Sequence, residues 1–369
     1  MYRNTKNVPY YVFGRGSLAQ LGDLLNPRRE AVDGPVVYFV DHFFRDHELI
    51  GRLPMEKGDQ LHFVDSSSEP EVTRIDAFKE AVSAADSRTP CCVVGIGGGN
   101  SLDTAKAVAN LLTNPGKAED YQGWELVKNP AVYKIGIPTL SGTGSECSRT
   151  CVLTNIPKNL KLGMNSDYTV YDQLLLDPDL LATVPRDQYF YTGIDTFMHC
   201  VESLQGSYRN AIIDAFSVRA VQLCEEIFLS DDMMSEENRE KMMIASYIGG
   251  MAAGNGISQV QGAQSGDFPQ GARAELRFEI ILQRKNFPFN IRVFRITQFP
   301  AFRVAHSEPL GTEFAEQVLN MVGVRSVIHM AEGIRLLQGL DKITVDIKSG
   351  REGRRMFHGH MTGDYPTAC

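Results

Sequence analysis

Along the first 180 residues, apolar and polar positions switch repeatedly between two patterns. Short β-branched and aromatic runs at Val36–Val40 and Leu61–Val64 have strand length, as do Cys91–Ile96 and Tyr133–Pro138. Between them, Ile75–Ala85 places Ile75, Phe78, Ala81 and Val82 on one side at helical spacing, and Asp103–Leu112 is an alanine-rich amphipathic segment. Strands alternating with helices indicate a parallel sheet covered on both faces. From Pro185 the strand signal fades. Tyr189–Leu204, Ala211–Leu229 and Ser235–Gly249 carry helix-length apolar patterns separated by polar, Gly or Ser/Asp clusters. The pattern predicts an α/β nucleotide-binding domain with a parallel sheet over residues 1–184 and, opening the second domain 185–369, helices read as far as about residue 253. The proline- and acid-punctuated stretch 177–187 joins them.

Composition narrows the class. A chain of 369 residues suits two packed domains. With 43% apolar and 22% charged residues it is neither disordered, collagenous nor a coiled coil. No apolar run is long enough for a membrane-spanning helix, and the N-terminus MYRNTKNVPYYVFGRG lacks the apolar core of a secretory leader. The seven cysteines are odd in number and show no CxxC spacing, as expected for reduced thiols of a cytoplasmic protein. A net charge of −8 argues against a general nucleic-acid partner. The expected partner is a small molecule, without membrane or nucleic acid.

Two loops carry the candidate binding chemistry. Cys91–Ile96 runs into Gly97-Gly98-Gly99, then Asn100, Ser101 and Asp103 of a helix. Glycines let backbone amides approach a phosphate, and the free N–H groups of the next helix add positive potential. The spacing is neither GxGxxG nor a P-loop, and a plain tight turn with Asn100 or Ser101 as N-cap is the competing reading. The second loop, Pro138–Glu146, packs Thr139, Ser141, Thr143 and Ser145 with Gly142 and Gly144 after a strand. Hydroxyls and small residues at the carboxyl end of a strand suit ribose and nicotinamide contacts. A surface loop capping a helix near Ser145 is the alternative.

On the first helix of the second domain, Asp195 and His199 are four residues apart and leave the same face. A carboxylate oxygen and an imidazole nitrogen at that spacing can hold a divalent metal, Fe²⁺ or Zn²⁺. An ordinary surface pair is the alternative, although Ile194, Phe197, Met198 and Val201 place this helix against a core or cleft.

The segments GIGGGNSLDTAKA (95–107), IPTLSGTGSE (137–146), LLLDPDLLATVP (174–185) and GIDTFMHCVES (193–203) together resemble the iron-containing alcohol dehydrogenase family, in its order and spacing. The resemblance covers about residues 1–256. It implies the dehydroquinate synthase-like architecture, an α/β dinucleotide-binding domain followed by an all-α C-terminal metal-binding domain, with NAD(P) and a divalent metal. It further implies a metal-dependent oxidoreductase in which Gly97, Gly98, Gly99, Asn100, Ser101 and Asp103 serve the cofactor diphosphate and Asp41 the adenosine ribose. Thr139, Ser141 and Thr143 would then line the nicotinamide side, Lys161 would stand near a ribose, and Asp195 and His199 would be the first two metal ligands. No individual catalytic residue is assigned. Within the family, residues 120–155 resemble the branch that oxidises the C8 hydroxyl of the sugar acid 3-deoxy-D-manno-octulosonate in bacterial lipopolysaccharide sugar biosynthesis. Glu69-Pro70 stands where the alcohol-dehydrogenase branch of the family usually has Asn-Pro, a departure that favours a sugar-oxidising branch over simple alcohols.

The family pattern breaks after residue 256. Two further histidines are expected around 260–280, yet none occurs between His199 and His306. The stretch 269–304 is rich in Arg and Phe and is interrupted by Pro269, Pro288 and Pro300, while 314–323 and 326–339 recover helical patterning. Three accounts compete for residues 257–369. They are a divergent domain recruiting His306, His329, His358 or His360, a cofactor-binding remnant without metal, and a shifted reading frame that leaves the segment atypical or disordered. Other functions consistent with the chain are a simple alcohol dehydrogenase and a dehydroquinate synthase-like lyase. The lyase would want several basic residues near the metal, and 195–202 offers none. A homodimer is an open expectation.

Overall fold

The computed structural model describes residues 6–205, 210–256, 275–283, 290–293, 342–349 and 355–360. Its first compact unit, Met1–Gly262, holds both the α/β part and three long helices. In chain order it contains β1 (Tyr10–Phe13), α1 (Leu21–Ala31), β2 (Val36–Asp41), β3 (Gln60–Val64), α2 (Val72–Ala85), β4 (Cys92–Gly97) and α3 (Gly99–Leu111). There follow β5 (Gly123–Trp124), β6 (Lys134–Pro138), β7 (Thr150–Asn155), β8 (Leu160–Asn165), β9 (Gln173–Leu176), α4 (Arg186–Gln205), α5 (Ala211–Phe228) and α6 (Glu236–Gly256).

The main sheet runs β1-β9-β6-β4-β2-β3, and all five neighbouring pairs are parallel. Its central strands β2, β4 and β6 are buried at nearly every position because both faces are covered. On β2, Val37 and Phe39 join a core with Val72, Ile75 and Val108 of α2 and α3. The intervening Val36, Tyr38 and Val40 join a second core with Leu21 and Leu25 of α1. The register pairs Val40 with Ile96 and Gly97 with Pro138, so the segments following β2, β4 and β6 leave the sheet at one edge. In open parallel sheets that carboxyl edge is where ligands bind. Beside it lies a small sheet, β5-β8-β7, built on the antiparallel β7–β8 hairpin. On β7, Cys151, Leu153 and Asn155 are buried while the residues between them are half-buried, a one-sided strand with period two.

The three helices read from the apolar spacing are present as α4, α5 and α6. They bury Phe197, Cys200, Ala220, Cys224, Met242 and Ala245. Their helical character ends at residue 256. In the second unit, Ala263–Cys369, the described segments are strands: β10 (Glu275–Gln283), β11 (Asn290–Val293), β12 (Lys342–Ser349) and β13 (Arg355–His360). They form the antiparallel sheet β11-β10-β12-β13, so the all-α expectation does not extend to them. The reason is legible afterwards. Leu276, Phe278, Ile280 and Leu282 recur every second residue, as do Ile343, Val345 and Ile347, which is strand spacing. His358 and His360 sit on β13 opposite Asp346 and Thr344. His306, His329 and the segments 314–323 and 326–339 lie outside the described residues, as does most of 257–304. Among the described residues, no helix is long and apolar enough to cross a membrane. The six described cysteines are all free and buried.

Candidate active site

The glycine turn is shorter than the sequence suggests. Helix α3 starts at Gly99, so Gly99, Asn100 and Ser101 form its first turn, and Gly98 is the N-cap without a side-chain cap bond. That excludes Asn100 and Ser101 as the cap. The side chain of Asn100 instead donates to the carbonyl of Ser68. Gly97 has φ +149°, and a Cβ there would lie 2.7 Å from Ser101 Cβ and 2.9 Å from Asp41 Cβ. Gly98 is different. A Cβ on it would meet only Leu140, at 3.4 Å and beyond, so the space above the helix N-terminus is open. That open cradle of backbone N–H groups fits an anionic diphosphate.

Asp41, at the end of β2, lies against this turn. Its Oδ1 accepts from Phe43 N at 3.0 Å and from Ser66 Oγ at 3.0 Å, and its Oδ2 is 3.5 Å from Ser101 Oγ. Asp41, Gly97 and Ser101 are thus brought together. Asp103 is set differently. One oxygen accepts from Ser145 Oγ, the other from Val152 N at 2.9 Å, and the side chain is 3.1 Å from Lys106 Nζ. That carboxylate is engaged by protein donors and ties α3 to the segment 145–152.

Lys106 is the residue that sequence reading missed. It is fully buried in α3, and its ammonium donates to the carbonyls of Ser145 (2.9 Å) and Thr150 (2.5 Å) and to Ser148 Oγ (3.3 Å). The available signal was a lysine three residues after an aspartate on a helix whose other positions are almost all small or apolar. Lys161 does not stand alone either. On β8 it pairs with Glu69, which also accepts from Thr154 Oγ1 at 2.7 Å. The Lys161 ammonium, together with Thr154, holds the Glu69 carboxyl below its ordinary range.

The hydroxyl loop is bound on two sides. Thr139 N donates to Gly97 O at 3.0 Å, which ties it to the glycine turn. Thr139 and Ser141 are buried, whereas Thr143 is exposed and its Oγ1 accepts from Ser145 N at 3.2 Å. No long helix starts at Ser145; a single turn, Ser145–Cys147, leads into β7. On the far side, Thr196 Oγ1 of α4 donates to Gly142 O at 2.6 Å, and Ser246 Oγ of α6 accepts from Gly142 N at 3.0 Å. Ser246 also donates to Glu146 at 2.9 Å. Glu146 is buried, and burial pushes its carboxyl pKa up.

Asp195 and His199 project from the same face of α4, with Oδ1 and Nε2 3.7 Å apart. Two ligands of one tetrahedral ion, each at about 2.0–2.2 Å, lie about 3.3–3.6 Å from each other, so this pair is close to ligating separation. The other ring nitrogen, Nδ1, is buried and makes no hydrogen bond. Among the described residues no third His, Cys, Asp or Glu completes a metal-binding group. The pair fits as part of a donor set, short of the three protein ligands usual for a catalytic metal.

Residues 9–178 match the description of iron-containing alcohol dehydrogenases, and 189–261 match that of the C-terminal region of the same family. The chain is 34% identical over 197 residues to the sulfoacetaldehyde reductase of Bilophila wadsworthia, covering 52% of this chain and 50% of that protein. It is 30% identical over 258 residues to the NAD-dependent methanol dehydrogenase of Bacillus methanolicus, covering 67% and 65%. The crystal structure of sulfoacetaldehyde reductase from Bifidobacterium kashiwanohense in complex with NAD+ superposes with a TM-score of 0.60 at 27% identity, over 68% of this chain and 67% of that one. The chain thus matches between half and two-thirds of the length of these relatives.

Proposed function

The chain belongs to the iron-containing alcohol dehydrogenase family, and from that premise we propose that it is a metal-dependent oxidoreductase that interconverts an alcohol and an aldehyde with NAD(H). One observation carries this reading. The loop 139–147 is bonded at once to the glycine turn, through Thr139, and to the helix bearing Asp195 and His199, through Thr196. The proposed nucleotide cradle and the proposed donor pair for a cation are therefore linked through one hydrogen-bonded loop.

In this reading the amides at Gly98 and Gly99 and the α3 N-terminus receive the diphosphate. Asp41 accepts from a ribose hydroxyl, and Lys161 stands near a ribose. Thr139, Ser141 and Thr143 flank the nicotinamide. Asp103 and Lys106 hold the backbone of 145–152 so that these hydroxyls keep their place. Asp195 and His199 are part of the cation's donor set. When bound, a divalent cation would polarise the alcohol oxygen and lower its pKa, so that oxidation would release the hydroxyl proton to solvent and the hydride to NAD+.

For the substrate we favour a primary alcohol on a sugar acid, as in C8 of 3-deoxy-D-manno-octulosonate. The resemblance of 120–155 supports it. The match to a methanol dehydrogenase favours a simple alcohol as the second reading. A cytoplasmic location suits the free, buried cysteines. NADH fluorescence titration, metal analysis and turnover on a panel of short alcohols and sugar acids test the proposal together. Protein that binds neither NAD(H) nor Fe²⁺ or Zn²⁺ would refute it. Turnover of short alcohols alone would select the second substrate reading.

A further inference from the structure

The nicotinamide-side loop is fastened to both α4 and α6 at Gly142. Its carbonyl accepts from Thr196 Oγ1 at 2.6 Å, and its amide donates to Ser246 Oγ at 3.0 Å. Thr196 is 1% exposed. A Cβ on Gly142 would lie 2.7 Å from Thr192 Cβ and 2.8 Å from Thr192 O, one helical turn before Thr196. Two positions on, a Cβ on Gly144 would lie 2.3 Å from Gly250 Cα of α6. Gly142 therefore packs directly on Thr192 of α4 and Gly144 on the backbone of Gly250 of α6, and Thr196 supplies a directional bond beside the first of these contacts.

Thr196 follows Asp195 directly on α4 and precedes His199 by three residues. Its bond to Gly142 fixes how far α4 can rotate about its axis relative to the loop. A buried apolar residue of similar shape would fill the space without fixing that angle. We infer that Thr196 is a positioning residue: through the Gly142 carbonyl it holds the nicotinamide-side loop in register with the helix face that presents Asp195 and His199. This rests on the proposed reading of 139–147 as the nicotinamide side. Its consequence is geometric, because reacting atoms must be held within about 3–3.5 Å for productive transfer.

The test uses the full chain and two ligands, NADH and ADP-ribose, the second of which lacks the nicotinamide. Thr196→Val removes the hydroxyl at nearly constant volume, Thr196→Ala removes it without a branched side chain, and Thr196→Ser keeps it. Losing one buried bond and stranding the carbonyl should weaken NADH binding about five- to tenfold. ADP-ribose binding should stay within about twofold, the level of a site the change does not reach, and Thr196→Ser should behave as wild type. Should the valine variant fail to fold, the alanine variant carries the same comparison. Equal NADH affinity in the hydroxyl-less variants overturns the inference, and so does an equal loss for both ligands, which marks a merely structural residue. Wild-type protein that binds NADH no better than ADP-ribose shows instead that the loop is not the nicotinamide side. Wild-type protein that binds neither overturns the functional reading and the inference with it.

Discussion

Replacing Gly98 by valine separates cofactor binding from folding. Its backbone, at φ −79° and ψ −173°, is extended and open to any residue. The new Cβ would meet only Leu140 Cδ2 at 3.4 Å and Leu140 Cβ at 3.7 Å, ordinary contact distances. Stability should change by no more than about 1 kcal/mol, in line with substitutions that create no clash, cavity or strain. A branched side chain in the cradle would hold a diphosphate away from the amides of α3. We expect NADH to bind at least about tenfold more weakly, equivalent to roughly 1.4 kcal/mol. Gly97→Ala is the contrasting variant. At φ +149°, with Ser101 and Asp41 within 3 Å of the new Cβ, it should lose about 1–3 kcal/mol of stability to backbone strain alone. Fluorescence titration with NADH beside urea denaturation measures both quantities. A Gly98→Val protein that binds NADH normally, or that unfolds as readily as Gly97→Ala, would refute the reasoning.

Three other perturbations follow from the same geometry. Lys106→Met leaves Asp103 buried without its cation and frees the carbonyls of Ser145 and Thr150, at a cost of about 3–5 kcal/mol typical of a broken buried pair; a urea midpoint equal to wild type would contradict this. Burial raises the Glu146 pKa above its ordinary 4.5, with Lys106 opposing and Asp103 adding to the shift. Between 4.5 and the raised value, the folded state keeps a proton that the unfolded state has lost. The stability from this group is therefore complete at low pH and declines as pH rises through the folded pKa. Glu146→Gln should flatten that part of the stability–pH curve, and a variant profile parallel to wild type would show that Glu146 does not titrate in this way. Asp195→Ala and His199→Ala should each lower bound Fe²⁺ or Zn²⁺, and the double variant should lose less than the two single losses combined, as expected when two side chains serve one ion; metal content unchanged in both single variants would return the pair to an ordinary helix surface.

Much of the fold was legible because the central strands are extreme. VVYFV and CVVGI are apolar at consecutive positions, which only a doubly covered sheet tolerates. The β7–β8 hairpin escaped notice because its inner positions are Cys151, Leu153 and Asn155, a weak alternation flanked by hydroxyls and lysines. Strands β10 and β12 escaped for another reason. In β10 the two-residue period sits within an Arg-, Phe- and Pro-rich stretch in which no helical period runs, and in β12 it spans only Ile343, Val345 and Ile347 alternating with polar residues.

The site was legible at its outer surface and illegible behind it. Asp41 and Asp103 are both aspartates near the glycine turn, expected from the resemblance to serve the ribose and the diphosphate, and only the fold shows that their surroundings differ. Asp41 ends a strand and binds hydroxyls and an amide, so it remains suited to a ribose. Asp103 faces inward because α3 is buried on every side, and there a carboxylate needs a fixed cation and fixed donors. Lys106 and the backbone of 145–152 supply them, which makes Asp103 part of the loop's support. The same holds for Thr196 and Ser246, hydroxyls on helices that otherwise read as apolar packing. Their partners, Gly142 and Glu146, lie more than fifty residues away, and only the folded chain brings donor and acceptor together. Residues that would touch a ligand are recognisable as a local motif. Residues that hold the motif in place depend on long-range contacts, and they are where substitutions will alter cofactor affinity without touching the cofactor.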